Sequence, residues 1–189
     1  MVNKYIQQIK EKYPLEKVQA LLDSFRPKKV MVIGDTIIDE YCFVQPKGRA
    51  TKDPMLSVEY SHEERYAGGI LAIANHLSNF VDTLTCVTLL GENADQEEFV
   101  RQGLQKNVLL HFFCKPGAPT IRKRRYISRL RHEKMFKVEY MNDQPIGQEL
   151  EQEIIRFLEQ ELPKYDLVVV GDFGHGFIDA GIVEVLEEK

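Results

Sequence analysis

The chain has 189 residues, 43% of them hydrophobic and 29% charged, with a formal net charge of −4. These values suit one compact globular domain and argue against broad binding to nucleic acid, which needs a basic surface. No apolar run reaches the roughly 20 residues that cross a bilayer, so no membrane partner is expected.

The first thirteen residues, MVNKYIQQIKEKY, lack the apolar core of a secretory leader and read as a polar amphipathic helix. Helical spacing continues through Leu15, Val18, Leu21, Leu22 and Phe25, with a break near Pro14 and a stop at Pro27. Residues 1–27 are therefore expected to form a helical extension. The β-branched run KKVMVIGD, residues 28–35, reads as a buried strand stopped by Gly34 and Asp35. Residues 40–44 and 55–60 read as two shorter strands around a polar loop, QPKGRATKDP.

Next comes YAGGILAIANHL, residues 66–77, where two glycines precede an apolar helical face of Ile70, Leu71, Ile73, Ala74 and Leu77. TLTCVTLL (83–90) predicts a strand, residues 95–105 a charged helix and VLLHFF (108–113) another strand. The basic TIRKRRYISR (120–129) and MFKVEY (135–140) suggest a hairpin. An acidic amphipathic helix over 147–162 leads to the strand DLVVVGDFGHG (166–176) and a last helix. Apolar strands that alternate with helices predict an α/β fold with a parallel sheet covered on both faces. The more polar strands near 40–60 and 120–140 are expected to form a small separate sheet.

Three cysteines, Cys42, Cys86 and Cys114, show no metal-ligand spacing, and their odd number suits a reducing cytoplasm. Ligands of open α/β sheets bind at the carboxyl ends of strands. Two such ends carry a Gly-Asp pair, Gly34-Asp35 and Gly171-Asp172, and Asp39 follows four residues after Asp35. Carboxylates there suit a polyol, although Asp is equally a preferred cap for a following turn or helix. Glycines at 68 and 69 let backbone approach a ligand, or simply make a tight turn. They lack the third glycine of a dinucleotide fingerprint, which argues against a Rossmann or flavodoxin-like nucleotide site. On a strand, Arg122 and Arg124 would share one face and Lys123 and Arg125 the other. Either face can meet an anionic group, or serve as a charged edge that resists aggregation. Among the histidines, His175 stands out because it flanks the strand-end acid Asp172.

Taken together, VMVIGDTIIDEY, RATKDPMLSVEY, YAGGILAIANHL, PTIRKRRYISR and DLVVVGDFGHG resemble the ribokinase-like (PfkB) sugar kinases in order and spacing. Within that family they are most similar to the heptose-phosphate kinases of lipopolysaccharide precursor synthesis. The resemblance implies ATP-dependent phosphorylation of a sugar or sugar phosphate, with magnesium. It places Asp35 and Asp39 against sugar hydroxyls, Thr51 and Asp53 in a lid loop, and Gly68 and Gly69 along the sugar site. Asn75 matches an amide position of the family. Lys123 and Arg125 would reach an existing phosphate, and Asp172 would lie near the cleft floor. Pairing of lids between subunits implies a homodimer.

Two positions depart from the family pattern: Ala72 stands where an asparagine is usual, and His175 where a lysine is usual. The Gly-Ala-Gly-Asp stretch that carries the family's general base does not occur. Residues 28–189 are thus expected to be the N-terminal, sugar-binding and lid portion of a kinase domain. A complementary C-terminal half would carry the nucleotide site. A non-catalytic sugar-phosphate binding or regulatory module is the alternative.

Overall fold

A computed structural model describes residues 2–49, 52 and 54–188. Helices α1 (Val2–Lys12) and α2 (Leu15–Phe25) come first, separated at Pro14, which lacks the amide a continuing helix needs. No α2 residue is buried.

The central element is β1 (Val30–Arg49), a single strand of 20 residues. Its first six residues run parallel to β3 (Leu84–Leu90) on one side and to β7 (Leu167–Gly171) on the other. Strand β4 (Val108–Cys114) extends the sheet beyond β3, giving the order β4-β3-β1-β7. From Thr36 onward β1 changes neighbours. It lies antiparallel to β2 (Leu56–Gly69), and from Ile38 parallel to β5 (Arg122–Ser128), which pairs with β6 (Lys134–Tyr140).

Burial along β1 records this change. Val30 to Ile38 are all buried, as in a strand covered on both faces, whereas Asp39 to Val44 alternate between half-buried and buried. Val30 and Val32 pack toward α3 (Ile70–Leu77) and α4 (Glu97–Gly103), with Ile70, Leu71, Ala74 and Val100. Met31 and Ile33 pack the other way, against Ile154 and Leu158 of α5 (Gln148–Glu161) and Ile182 of α6 (Ala180–Glu188). The result is a helix–sheet–helix sandwich with a four-stranded β lid. Cys86 is fully buried, and burial pushes its thiol up to about 12, the behaviour of an inert core residue. Among the described residues no helix is long and apolar enough to cross a membrane.

Three expectations change. The strands expected at 28–35 and 40–44 are one strand, and the lid is not a separate sheet but grows out of β1. The strand expected at 55–60 continues to Gly69, so the glycine pair ends a strand as well as preceding a helix. Gly34 does not stop β1 because its backbone stays extended. Its missing side chain instead permits close approach to β7, since a Cβ there would sit 2.1 Å from the Gly171 carbonyl oxygen.

The lid has its own buried centre. Glu40 is 1% exposed and is met by Arg124 Nε at 2.7 Å, Arg65 Nε at 3.3 Å and Arg122 Nη1 at 3.6 Å. Arg122 also lies over the Tyr140 ring and Arg65 over the Phe99 ring. The anion that the Arg122–Arg124 face was expected to meet is therefore supplied by this chain itself.

Two substitutions test this frame. Gly34→Ala forces backbone apart at the β1–β7 contact and is expected to lower unfolding free energy by roughly 1–3 kcal/mol in urea titrations. Glu40→Ala strands three guanidinium groups and is expected to cost about 3–5 kcal/mol by the same measurement.

Candidate functional site

Where β1 passes from the parallel sheet into the lid, it carries two acids four residues apart. Period-two alternation puts Asp35, Ile37 and Asp39 on one side of the strand and Glu40 on the other. Gly69 adjoins Asp35 from β2: a Cβ there would lie 2.4 Å from the Asp35 carbonyl oxygen, and its φ of +56° is a value that side chains disfavour. Gly68 adjoins Asp39, whose Oδ2 a Cβ would meet at 2.5 Å. The glycine pair thus leaves room for the two acids, and it also leaves the start of α3 without a side-chain cap.

Asp35 is 1% exposed. Its Oδ2 accepts a hydrogen bond from the Phe173 amide at 3.1 Å, in the turn after β7. Burial raises its pKa, opposed by the Phe173 amide and by nearby His175. The His175 amide also contributes, and a carboxylate offers about four acceptor positions, so the two main-chain amides leave part of that capacity free. Asp39 is paired with Arg125 of β5.

Above these acids stands Lys123, the β5 residue in register with Asp39. Its Nζ meets His175 Nε2 at 2.8 Å, and His175 Nδ1 meets Asp143 Oδ1 at 2.8 Å. Lys115, just past the end of β4, is also buried, and its Nζ donates to the Asn142 carbonyl at 2.7 Å and to the Gln144 carbonyl. Burial lowers its pKa, opposed by Asp143 and Asp35. Thr120 secures the foot of the lid: its hydroxyl accepts from the Gly91 amide at 2.7 Å and donates to Asp95. A cavity of about 20 Å³ remains between Asp35, Thr36, Lys115, Thr120 and His175. That is room for one water and far less than a sugar needs.

The structure therefore brings together Asp35, Asp39, Gly68, Gly69, Lys123 and Arg125. Asp172 is beside them but faces solvent, and its Oδ1 accepts from the Gly174 amide at 2.8 Å, as a turn cap. Asn75 is committed elsewhere. Its Nδ2 donates to the Gly103 carbonyl at 2.7 Å and its Oδ1 accepts from the Gln105 amide at 2.9 Å, which fixes the α4–β4 connection. Thr51 and Asp53 lie outside the described residues. Sequence reasoning missed Lys115, Asp143 and Thr120. Lys115 follows an apolar strand just as Asp35 does, so the strand-end rule that selected Asp35 applies to it equally. The glycine pair follows an antiparallel lid strand rather than a strand of the parallel sheet, unlike the βαβ turn that binds dinucleotides.

No protein-family model matches the chain. Curated proteins do. The bifunctional protein HldE of Trichlorobacter lovleyi is 25% identical over 170 residues, covering 88% of this chain and 34% of that protein. HldE of Desulfatibacillum aliphaticivorans is 26% identical over 166 residues, covering 86% of this chain and 33% of that protein. The chain thus spans about a third of the length of these curated relatives. Among solved structures, phosphofructokinase-2 from Escherichia coli, in complex with fructose-6-phosphate, superposes with a TM-score of 0.55 at 11% identity. The match covers 86% of this chain and 51% of that one. Ribokinase from Giardia lamblia gives a TM-score of 0.50 at 18% identity, over 85% of this chain and 50% of that one. The fold is the ribokinase-like one, represented over about half its extent, and the chain's curated sequence relatives are HldE proteins.

Proposed function

We propose that this chain is the acceptor-binding and lid portion of a kinase that phosphorylates a sugar or sugar phosphate of the heptose-phosphate kind. The observation that carries this reading is Asp35: a buried carboxylate where β1 passes from the parallel sheet into the lid, held by main-chain amides of the turn after β7 and with acceptor capacity to spare. Buried carboxylates of that kind want hydroxyl donors, and a polyol supplies several. Gly69 adjoins Asp35 and Gly68 adjoins Asp39, and in this reading Lys123 and Arg125 supply cations for a phosphate the substrate already carries. Thr51 and Asp53 complete the lid loop in this reading, with Asp172 at the cleft floor. Residues 28–189 form the kinase portion and residues 1–27 a helical extension.

ATP and magnesium are the co-substrates of this reading. Among the described residues no group of three acidic, histidine or cysteine side chains gathers to hold a metal ion. Neither ATP nor magnesium is therefore assigned to side chains of this chain, and its own part is to bind and orient the acceptor and exclude water. In the cytoplasm it would act as a homodimer joined through the lid, or with a C-terminal half that carries the nucleotide site. The commitment of Asn75 to structure, together with alanine at position 72, favours one alternative, a sugar-phosphate binding module without turnover.

Calorimetry of this chain with heptose 7-phosphate and hexose phosphates is expected to show binding, weakened roughly 10- to 100-fold by Asp39→Asn. The full product of the reading frame is expected to transfer phosphate from ATP to the same sugars. Failure of that product to bind or phosphorylate any sugar phosphate overturns the reading, and binding without transfer selects the alternative.

Asp35 also makes a stability prediction. Its folded pKa is raised by burial, so folding is favoured while it is protonated. That contribution is complete below the unfolded value near 3.8 and is lost as pH rises through the folded value. Asp35→Asn is expected to flatten this slope and to abolish sugar binding. The measurement is urea unfolding across a pH series, set beside calorimetry at neutral pH.

A further inference from the structure

His175 is held between two groups that fix its protonation state. A carboxylate can only accept, so the Asp143 contact puts a proton on Nδ1. An ammonium can only donate, so the Lys123 contact requires a lone pair on Nε2. The ring is therefore neutral in this closed state, and its second proton site is blocked by a cation. Lys123 belongs to the lid, whereas His175 belongs to the turn after β7 and is 8% exposed. The bond between them is one of the contacts that close the lid over the cavity beside Asp35.

We infer that Lys123 and His175 are the two jaws of a proton-linked oxyanion site. When the lid opens, a phosphate oxygen of the acceptor enters between Nζ and Nε2, and His175 takes up one proton from solvent. Both nitrogens then donate to the same anion. Asp143, already bonded to Nδ1, offsets the new charge on the ring. This rests on the sugar-phosphate reading above and assigns the phosphate group to a residue that reading did not use.

The charges that face His175 come from several elements. Asp143 approaches from the segment before α5 and Asp35 from β1, while Asp172, beside Asp35, faces solvent. Lys115 follows β4 and lies near Asp35 and Asp143, and Glu139 of β6 stands opposite Lys123. Asp143 stays bonded to Nδ1 when Lys123 moves toward an anion, so Nε2 is then the nitrogen left free to take a proton. With lysine in place of histidine the site would be cationic at every pH. With histidine it becomes an anion site only when a proton and an anion arrive together.

Sulfate is the appropriate probe, because it does not titrate between pH 5.5 and 8.5 as phosphate does. Calorimetric titration of the intact chain is expected to show sulfate affinity falling about tenfold per pH unit on the alkaline side and levelling on the acid side. His175→Lys is expected to bind sulfate with no such slope, at or above the acid-limb affinity. His175→Asn is expected to be flat and weak. In nitrogen-15 spectra of the unmutated chain, the His175 ring is expected to be the neutral Nδ1–H form at high pH, and its pKa to rise on adding sulfate. A flat sulfate affinity, an unchanged slope in His175→Asn, or a ring pKa indifferent to sulfate overturns the proposal. So does absence of sulfate binding. Calorimetry with an uncharged heptose separates the outcomes: if the neutral sugar binds while sulfate fails, the proton-linked site is wrong and the sugar-binding reading stands.

Discussion

The molecule depends on one strand serving two sheets. For its first six residues β1 is the inner strand of a parallel sheet, buried on both faces. Beyond Thr36 it becomes the inner strand of the lid. The handover fixes everything near it. Asp35 ends the region covered by helices, Asp39 begins the region where one face is open, and two-residue periodicity keeps both on the same side. No loop intervenes to loosen them. The glycines of β2 and the cations of β5 arrive on either side through ordinary ladder pairing, so the cleft is assembled by strand register rather than by loop conformation.

Two acids on this strand are equally buried, and their surroundings differ in a way that separates structure from function. Glu40 and Asp35 are each 1% exposed. Glu40 gathers guanidinium groups from Arg65, Arg122 and Arg124, drawn from both neighbouring strands. A buried charge compensated to that degree has little left to offer a ligand. Asp35 meets only main-chain amides, of Phe173 and His175, with imidazole nearby. Its burial is only partly offset, which raises its pKa and leaves lone pairs unused. Destabilisation retained at one carboxylate, beside another fully satisfied, marks where an external donor is wanted.

Much of this architecture was legible in the residues. Apolar strands alternating with amphipathic helices give the layered sandwich, and the alternation of Arg122 to Arg125 separates two faces, as expected. Continuity was not legible. Gly34 and Asp35 carry the local chemistry of a strand end, yet the chain runs on. Only the tertiary approach of Gly171 shows why a glycine is needed in mid-strand. The partner of the Arg122–Arg124 face was hidden for a related reason. Glu40 lies more than eighty residues earlier, and nothing local distinguishes it from its neighbour Asp39. Asn75 shows the converse error. A position that fits a motif along the chain is here spent on two backbone groups of the α4–β4 connection. His175 was visible as a histidine beside a strand-end acid, but its fixed tautomer follows from Asp143 and Lys123, which lie on two other elements.

The closed cavity constrains how the lid must move. About 20 Å³ beside Asp35 is far less than a sugar needs, so binding a sugar there calls for β5 to move away from the turn after β7. β1 runs unbroken from the parallel sheet into the lid, so no loop of that strand separates the two. The Thr36 hydroxyl bonds Thr88 at 2.8 Å, and the Thr88 hydroxyl donates to the Gly34 carbonyl at 2.7 Å. Those bonds anchor the strand just before it leaves the parallel sheet. Lys123–His175 joins lid and floor, and Arg125–Asp39 lies within the lid. Under the proposed function, a phosphorylated polyol would compete for both contacts, meeting the cations with its phosphate and the acids with its hydroxyls.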